Sequence, residues 1–586
     1  MGYVRTETGD GTAAQSLLSW AVEPGAAREG TRRTAVVTGP PGSGKSRLLA
    51  LFVAGAAAPG SSPRPVVHAV GFAEGQITRT LAWQLGRHLG YGPIEPAELL
   101  RRLGADPRPV LMVVTDLHRS GRGPADLPDA RPHTIVENLI NPLRALPGVR
   151  LILESDTPDL LGGTDDVLVV EMERGTGTEP GPVHQAPHPG PSMAAAPPPT
   201  PPARDWPTAT PDEREHALDR ALSTGTAHQL LRDPGYLVYG SVPAVTAALA
   251  DPRLPLPPGL RDVWDRAAPD LSAPDLPEPQ RAAVLHSAAA GAQPKLAEYL
   301  RPLAETGPWI TRWSLPERTT AAATLTAAGT FVAADALGRL TRYALADGRA
   351  RTTLPAGTAW QPAALAPITP DCLLALDRTG ALRPLPLVTD APVPIGLGSL
   401  LLHHNAATLA PPPAELPTAL AATARHAVVG DGRGRVHLWP LDFPAPETLT
   451  AYRPHRSPVA AAACLDVGDT VLVVTGGLDG TVVLWDSASA APLTEPLERR
   501  GSLPTALALA DTDAAGPVLA VAWSDRRLHL WHLLSGRRAA LPAPYRVGSL
   551  ALTDDCLLLS SGPGGIRLTR LDPAALWATT AERRAS

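Results

Sequence analysis

The stretch that most constrains this chain is residues 35–50, which read AVVTGPPGSGKSRLLA. A short run rich in β-branched residues leads into GPPGSGKS at 39–46, and a helix-forming run follows. This order matches G-x-x-x-x-G-K-[ST], a phosphate-binding loop that joins a strand to a helix. A chance glycine-rich turn is the alternative reading, but the strand before the loop and the helix after it argue against it.

The chemistry of such a loop depends on these residue types in this order. The glycines allow backbone conformations that a side chain would forbid, so the loop's N–H groups can point at a phosphate. The helix that follows adds its positive dipole end. Lys45 would reach the β- and γ-phosphates, and the Ser46 hydroxyl would be a Mg²⁺ ligand. The predicted nucleotide-binding residues here are Gly39, Pro40, Pro41, Gly42, Ser43, Gly44, Lys45, Ser46 and Arg47.

The lysine in this loop is unusual for the chain. Lys and Arg together number 52, yet Lys45 and Lys295 are the two lysines in the sequence. A planar guanidinium cannot replace a compact ammonium in a phosphate cradle. A lysine at position 45 therefore reflects chemistry rather than compositional bias.

A second candidate ligand follows a continuous apolar run at residues 109–115. Buried parallel strands read this way, and this one ends in Asp116. An aspartate in this position beside a phosphate-binding loop is the Walker B residue, which holds Mg²⁺. A helix cap or turn is the alternative role, and the upstream loop favours the metal role. Strands and helices alternate throughout 35–172, which predicts a parallel sheet covered on both faces.

Length and composition limit the classes of protein. A chain of 586 residues is expected to form three or four domains. The net charge of −5 gives no reason to expect nucleic acid as the main partner. The sequence has no apolar run near 18 residues and no signal-peptide pattern, and its three cysteines are far apart. These features predict a cytoplasmic chain without a membrane span or a disulfide framework.

Changes in composition divide the chain into four parts. Residues 1–173 are expected to form the α/β domain, and residues 174–210 a proline-rich linker that cannot make a core. Residues 211–307 have helical periodicity. Residues 308–586 consist of short β runs separated by turns, which predicts an all-β domain.

The all-β part contains a repeated strand. Six similar segments recur about 38–54 residues apart, a period typical of four-stranded propeller blades. They begin at residues 338, 380, 434, 480, 526 and 565. The sequence thus predicts a β-propeller of six or seven blades. A seventh blade would be built from 389–417, or from the stretch Trp309 to Trp313 closing the ring with the last blade.

Two resemblances to known families follow from these motifs. Residues 30–172 resemble the P-loop ATPases of the AAA and STAND (signal-transduction ATPase) group, through GPPGSGKS at 39–46 and VLMVVTD at 110–116. Residues 315–586 resemble WD-repeat propellers, with GTVVLWD at 480–486 as the best copy. The combination on a chain of bacterial-looking composition is similar to STAND proteins, which use nucleotide state as a switch and a repeat domain as a sensor.

The resemblance implies ATP and Mg²⁺ as cofactors, signal transduction as the role, and a protein partner bound by the propeller. Assembly of several copies on ATP binding is a further implication. STAND proteins also carry a Gly-x-Pro element whose proline packs on the adenine. Here Gly240 and Pro243 precede a helix, which makes Pro243 a candidate for that contact. A plain helix-start proline is the alternative.

The sequence departs from the family pattern where catalysis is concerned. In active relatives an acidic residue follows the Walker B aspartate and polarises the attacking water, whereas Asp116 is followed by Leu117. Glu154 at the end of a later strand and Glu74 in a loop are the candidate substitutes, although each is also explained as a solvated side chain. Hydrolysis is therefore left open. An ATP-dependent switch and a non-hydrolysing scaffold with ATP as structural cofactor are the two expectations, and a P-loop kinase is a weaker third.

Overall fold

The computed structural model groups the chain into two compact units. One contains Met1–His88 and Ile94–Pro257, and the other contains Leu89–Pro93 and Pro258–Ser586. The division at Pro257 falls inside the stretch predicted as one helical domain. The described residues are 6–8, 10–22, 32–57, 65–121, 131–163, 166–173, 205–274, 276–326, 329–354, 360–409, 415–442, 450–489, 492–493 and 495–578. Residues 174–204 of the predicted linker lie outside them.

The first unit is an α/β domain followed by helices. Its strands are β1 (Thr6–Thr8), β2 (Thr34–Thr38), β3 (Ala69–Phe72), β4 (Val110–Thr115), β5 (Val149–Glu154) and β6 (Val167–Met172). Its helices are α1 (Asp10–Val22), α2 (Lys45–Ala57), α3 (Thr78–His88), α4 (Pro96–Ala105), α5 (Pro132–Ile135), α6 (Asn141–Ala145), α7 (Pro211–Ser223), α8 (Ala227–Leu230), α9 (Pro234–Tyr239) and α10 (Val242–Ala250).

The sheet of this unit is parallel, as predicted. Five strands follow the order β6-β2-β5-β4-β3, and the three-residue β1 pairs with β6 at the edge. Strands β2 and β4 are buried along their whole length, which explains their uninterrupted apolar sequences. Because β5 lies between β2 and β4, the residues that follow these three strands meet at one edge of the sheet.

The second unit contains three helices that precede a propeller and two further helices within the described residues. The helices before the propeller are α11 (Leu260–Leu271), α12 (Glu278–Ala289) and α13 (Pro294–Ala304). The strands are β7 (Trp309–Leu315), β8 (Ala322–Thr326), β9 (Thr330–Ala334), β10 (Leu340–Ala344), β11 (Ala350–Leu354), β12 (Pro362–Thr369), β13 (Cys372–Asp377), β14 (Leu382–Pro386), β15 (Pro417–Ala422), β16 (His426–Asp431), β17 (Val436–Pro440), β18 (Thr450–Tyr452), β19 (Val459–Val467), β20 (Thr470–Gly477), β21 (Thr481–Asp486), β22 (Glu498–Arg499), β23 (Pro504–Thr512), β24 (Gly516–Trp523), β25 (Arg527–His532), β26 (Arg537–Pro542), β27 (Ser549–Leu552), β28 (Leu557–Gly562) and β29 (Gly565–Leu571). Two more helices are α14 (Leu397–Leu409) and α15 (Pro573–Trp577).

The propeller has six blades. Each sheet is an antiparallel meander, and the first strands of successive blades contact one another until β27 meets β8. Strand β7 pairs with β29 as the fourth strand of the last blade. The stretch from Trp309 to Trp313 was predicted to close the ring with the last blade, and it does so. It completes the sixth blade, however, and does not form a seventh. The other proposed seventh blade, at 389–417, contains helix α14.

Blade four, which consists of β19 to β22, contains a buried polar network. His455 contacts Thr481 Oγ1 through Nδ1 at 3.0 Å and Thr475 Oγ1 through Nε2 at 2.9 Å. Asp479 Oδ1 accepts hydrogen bonds from the N–H and the hydroxyl of Thr481. Burial lowers the pKa of His455, although Asp479 opposes this shift. The network ties the loop before the blade to the turn between its second and third strands.

Blade two, which consists of β12 to β14, has three strands among its described residues, and α14 takes the place of the fourth. The Leu382 N–H donates to Asn405 Oδ1 at 2.8 Å, and Asn405 Nδ2 donates to the Leu382 carbonyl at 2.9 Å. One side-chain amide therefore replaces a peptide group of the missing strand. Pro384 and Pro386 lie two and four residues after Leu382, so their backbone groups face the same edge of β14. Neither proline has an N–H to leave unpaired.

Replacing Asn405 with alanine should loosen this edge of the propeller. Amide exchange at Leu382 is expected to accelerate about 5- to 30-fold, equivalent to about 1–2 kcal/mol for two lost hydrogen bonds. Hydrogen–deuterium exchange with peptide mass spectrometry would measure it. Leu402→Ala is the control on the same helix, because that side chain is 76% exposed. Equal exchange in Asn405→Ala and the unaltered protein would contradict this role.

Within the described residues, no helix combines the length and apolar character that crossing a bilayer requires.

Candidate phosphate-binding site

The loop after β2 has the backbone that its glycines predict. Gly39, Gly42 and Gly44 have φ angles of 149°, 82° and 91°, all in the region that side chains disfavour. A Cβ atom on Gly39 would also lie 2.3 Å from the Met172 carbonyl oxygen. The loop is therefore closed against β6 in a way that only glycine permits, and α2 begins at Lys45, within the last two residues of the 39–46 motif.

The Lys45 side chain lies inside this loop and is 6% exposed. Its Nζ donates to the carbonyl oxygens of Gly39 at 2.6 Å and Pro40 at 3.2 Å. It also lies 3.0 Å from Asp156 Oδ1. The ammonium is thus held by two carbonyl groups of its own loop, and its charge is balanced by a carboxylate of the same chain.

Ser46 and Glu154 form the next contact at this edge. The Ser46 hydroxyl donates to Glu154 Oε1 at 2.7 Å, and the glutamate is 1% exposed. Burial raises the pKa of Glu154, and the Asp116 carboxylate raises it further, whereas the bond from Ser46 and the charge of Lys45 lower it. Glu154 Oε2 has no hydrogen bond of ordinary geometry to a described residue, although the Asp116 N–H lies near enough to lower the pKa.

Asp116 follows β4 in a strained conformation. Its φ of 51° and ψ of 37° are left-handed, and it precedes a short 3₁₀ turn at Leu117–Arg119. Aspartate tolerates this region better than most residues, and such backbone strain clusters at functional sites. The half-buried Asp116 carboxylate also acts on the pKa of Glu154, so the two residues are electrostatic neighbours.

Glu74 is held differently from Glu154. Its carboxylate pairs with Arg119 Nη2 at 2.9 Å, and its side chain is 40% exposed. The Gly75 N–H donates to the Arg119 carbonyl at 3.0 Å, which ties the loop after β3 to the turn after Asp116. Glu154, the last residue of β5 beside β2, contacts the loop through Ser46. Glu74 lies in the loop after β3, at the far edge of the sheet, and pairs with Arg119 instead.

Sequence reasoning missed Asp156 and the role of His118. Asp156 Oδ2 lies 3.2 Å from His118 Nε2, while its other oxygen faces Lys45. The Thr38 hydroxyl donates to the Asp156 carbonyl at 2.8 Å. The signal was present, because both residues follow strands adjacent in a parallel sheet, whose carboxyl ends share one edge. The sequence pattern did not reveal the order of those strands in the sheet, so it could not show that the two residues are neighbours.

Arg47 and Pro243 complete the predicted set. Arg47 is exposed in the first turn of α2. Pro243 lies in the first turn of α10, where Ser241 is the N-cap residue. Helix α10 packs through Ala247 on Ile77, which precedes α3 in the α/β domain. The adenine contact of Pro243 stays a prediction.

The residues present fit a nucleotide with Mg²⁺. Buried polar atoms without a hydrogen bond to described residues include Ser43 Oγ in the loop and Thr115 Oγ1 beside Asp116. The described part of the chain has no group of three or more His, Cys, Asp or Glu arranged to hold a metal. Mg²⁺ in nucleotide sites needs few protein ligands, since phosphates and water supply the rest, and Ser46 with Asp116 match that donor set.

Comparisons with known proteins add little to this geometry. No protein-family model matches the chain, and no curated protein matches it. Among solved structures, the crystal structure of the computationally designed Ika8 protein is similar at 18% identity and a TM-score of 0.28, over 43% of this chain and 71% of that one. A likeness of this size supports no functional argument.

Glu154→Gln should stabilise the ligand-free protein, because it removes a buried charge and keeps an acceptor for Ser46. The thermal midpoint of the first unit is expected to rise by about 2–4 °C, as about 1 kcal/mol does in a domain of this size. Differential scanning calorimetry would measure it. Glu74→Gln is the matched control and should shift the midpoint by about 1 °C or less, because its ion pair is exposed. A lower midpoint in Glu154→Gln would contradict this account.

Proposed function

We propose that this chain binds ATP with Mg²⁺ at residues 39–46 and that the bound nucleotide controls recognition of a protein partner by the propeller. The observation that supports it most is the loop itself. Three glycines at positive φ surround a buried Lys45 at the start of a helix. In a loop of this kind, backbone N–H groups and an ammonium can converge on one anion.

Each residue at this edge has a proposed part. Lys45 binds the phosphates, and Ser46 and Asp116 hold Mg²⁺, which neutralises phosphate charge when bound. Pro243 packs on the adenine. Glu154 orients water for hydrolysis, since one carboxylate oxygen is free of ordinary hydrogen bonds. Glu74 is the weaker candidate for that part, because Arg119 already pairs with its carboxylate.

The family assignment belongs to this proposal as well. We assign the α/β domain to the AAA and STAND group and the propeller to the WD-repeat class. The blade-four network of His455, Thr475 and Asp479, together with the third strand GTVVLWD at 480–486, supports the WD-repeat assignment. A propeller is a common scaffold for protein recognition, which supports a protein partner.

A non-hydrolysing scaffold, with ATP as a structural cofactor, is the second candidate. Two observations favour it. Asp116 is followed by Leu117 instead of an acidic residue, and Ser46 holds the carboxylate of Glu154. A nucleotide that binds only the folded state would then act by stabilising it.

Lys45→Ala tests nucleotide binding. The affinity for ATP is expected to fall at least about 30-fold, the cost of removing one partner of a desolvated charge pair. Isothermal titration calorimetry with ATP and Mg²⁺ would measure it. Lys295→Ala is the matched control, since it removes the other lysine from an exposed position of α13. Unchanged affinity in Lys45→Ala would refute the site.

Turnover separates the switch from the scaffold. In a cycling switch, Glu154→Gln should lower single-turnover ATP hydrolysis by about 100-fold or more, the usual contribution of a positioned acid–base residue. Glu74→Gln should change it less than about threefold. Nucleotide retained through purification with no measurable hydrolysis would instead favour the scaffold.

A further inference from the structure

Asp156 connects three segments around the phosphate-binding loop. Its Oδ1 lies 3.0 Å from Lys45 Nζ, and its Oδ2 lies 3.2 Å from His118 Nε2. Its backbone carbonyl accepts a hydrogen bond from Thr38, the last residue of β2. One aspartate therefore contacts the lysine of the loop, the end of the strand before it, and the turn that follows Asp116.

The position of Asp156 is built by the backbone. The Ser155 N–H donates to the Val37 carbonyl at 3.1 Å, which continues the pairing of β5 with β2 by one residue. The Ser155 hydroxyl donates to the Thr157 carbonyl at 2.8 Å. With these two bonds and the one from Thr38, the chain on both sides of Asp156 is fixed. Its side chain, 36% exposed, has solvent on one side into which it can turn.

The contact with Lys45 is primarily one between charges. Asp156 Oδ1 is shielded from solvent and has no hydrogen bond of ordinary geometry to a described residue. The ammonium also donates to two backbone carbonyls, so its hydrogen-bonding capacity is largely used within the chain. A phosphate would need the same ammonium, and its negative charge would be repelled by the carboxylate.

We propose that Asp156 is an internal competitor of the nucleotide phosphates for Lys45 and sets the affinity of the site. This regulatory role rests on the proposed function. The carboxylate compensates the buried ammonium in the ligand-free protein, and a phosphate must displace it. His118 contacts the other oxygen of the same carboxylate, so the competition also involves the turn after Asp116.

Asp156→Asn tests this competition, because it keeps the shape of the side chain and removes its charge. Binding of ADP should tighten by about threefold or more, since a partly exposed ion pair opposes binding by up to about 1 kcal/mol, or about fivefold. The gain should persist in EDTA, because it acts through Lys45 and needs no metal. Asp159→Asn is the matched control, an exposed aspartate three residues along the same loop, and should leave the affinity unchanged.

The outcomes separate this inference from the proposed function. If the unaltered protein binds ADP and Asp156→Asn binds with a gain below threefold, or more weakly, the competition is refuted and the nucleotide site stands. Weaker binding by Asp156→Asn only when Mg²⁺ is present would assign the carboxylate to the metal and refute the competition as well. If neither protein binds ADP, and Lys45→Ala gives the same null titration, the proposed function itself fails. Circular dichroism of each variant would establish that it is folded.

Discussion

The burial of one ammonium governs the structure around the phosphate-binding loop. Lys45 is enclosed by the loop it belongs to, and a buried charge is costly unless it is paired and hydrogen-bonded. Two carbonyls of the loop and the carboxylate of Asp156 meet this requirement from within the chain. The loop geometry, the position of the chain after β5 and the hydrogen bond from Thr38 all contribute to that compensation, so the charge of Lys45 is balanced from within the chain.

Glu154 shows the opposite case at the same edge. It is buried, its pKa is raised by burial, and its partner Ser46 supplies a single neutral hydrogen bond. Burying a carboxylate without a cationic partner in hydrogen-bonding contact lowers the stability of the fold. Such residues are found more often at functional sites than at purely structural positions. Functional sites often hold such residues at a cost in stability. The contrast with Glu74, which is exposed and paired with Arg119, distinguishes two glutamates that are alike in sequence.

The propeller solves a different problem, that of strand edges. Each blade is a separate sheet, so its outer strand remains an edge, and strand β7, which precedes the first blade in sequence, provides the outer strand of the last one. Blade two has no such outer strand among its described residues. The Asn405 amide pairs with the N–H and the carbonyl of Leu382, and Pro384 and Pro386 have no N–H to leave unpaired. The pairing of β7 with β29 and the contact of Asn405 with Leu382 each join segments that are separated in sequence. The last blade therefore depends on β7, and the edge of blade two depends on α14.

The sequence by itself determined the local elements: the loop at 39–46, the strand before Asp116 and the six recurring blade strands. Local patterns suffice there, because glycine spacing and apolar periodicity act within a few residues. Tertiary structure alone decided that β5 lies between β2 and β4, and hence that Asp156 pairs with Lys45. It also decided that β7 completes the sixth blade. Strand order and ring closure depend on contacts between distant segments, and no short stretch of sequence records them.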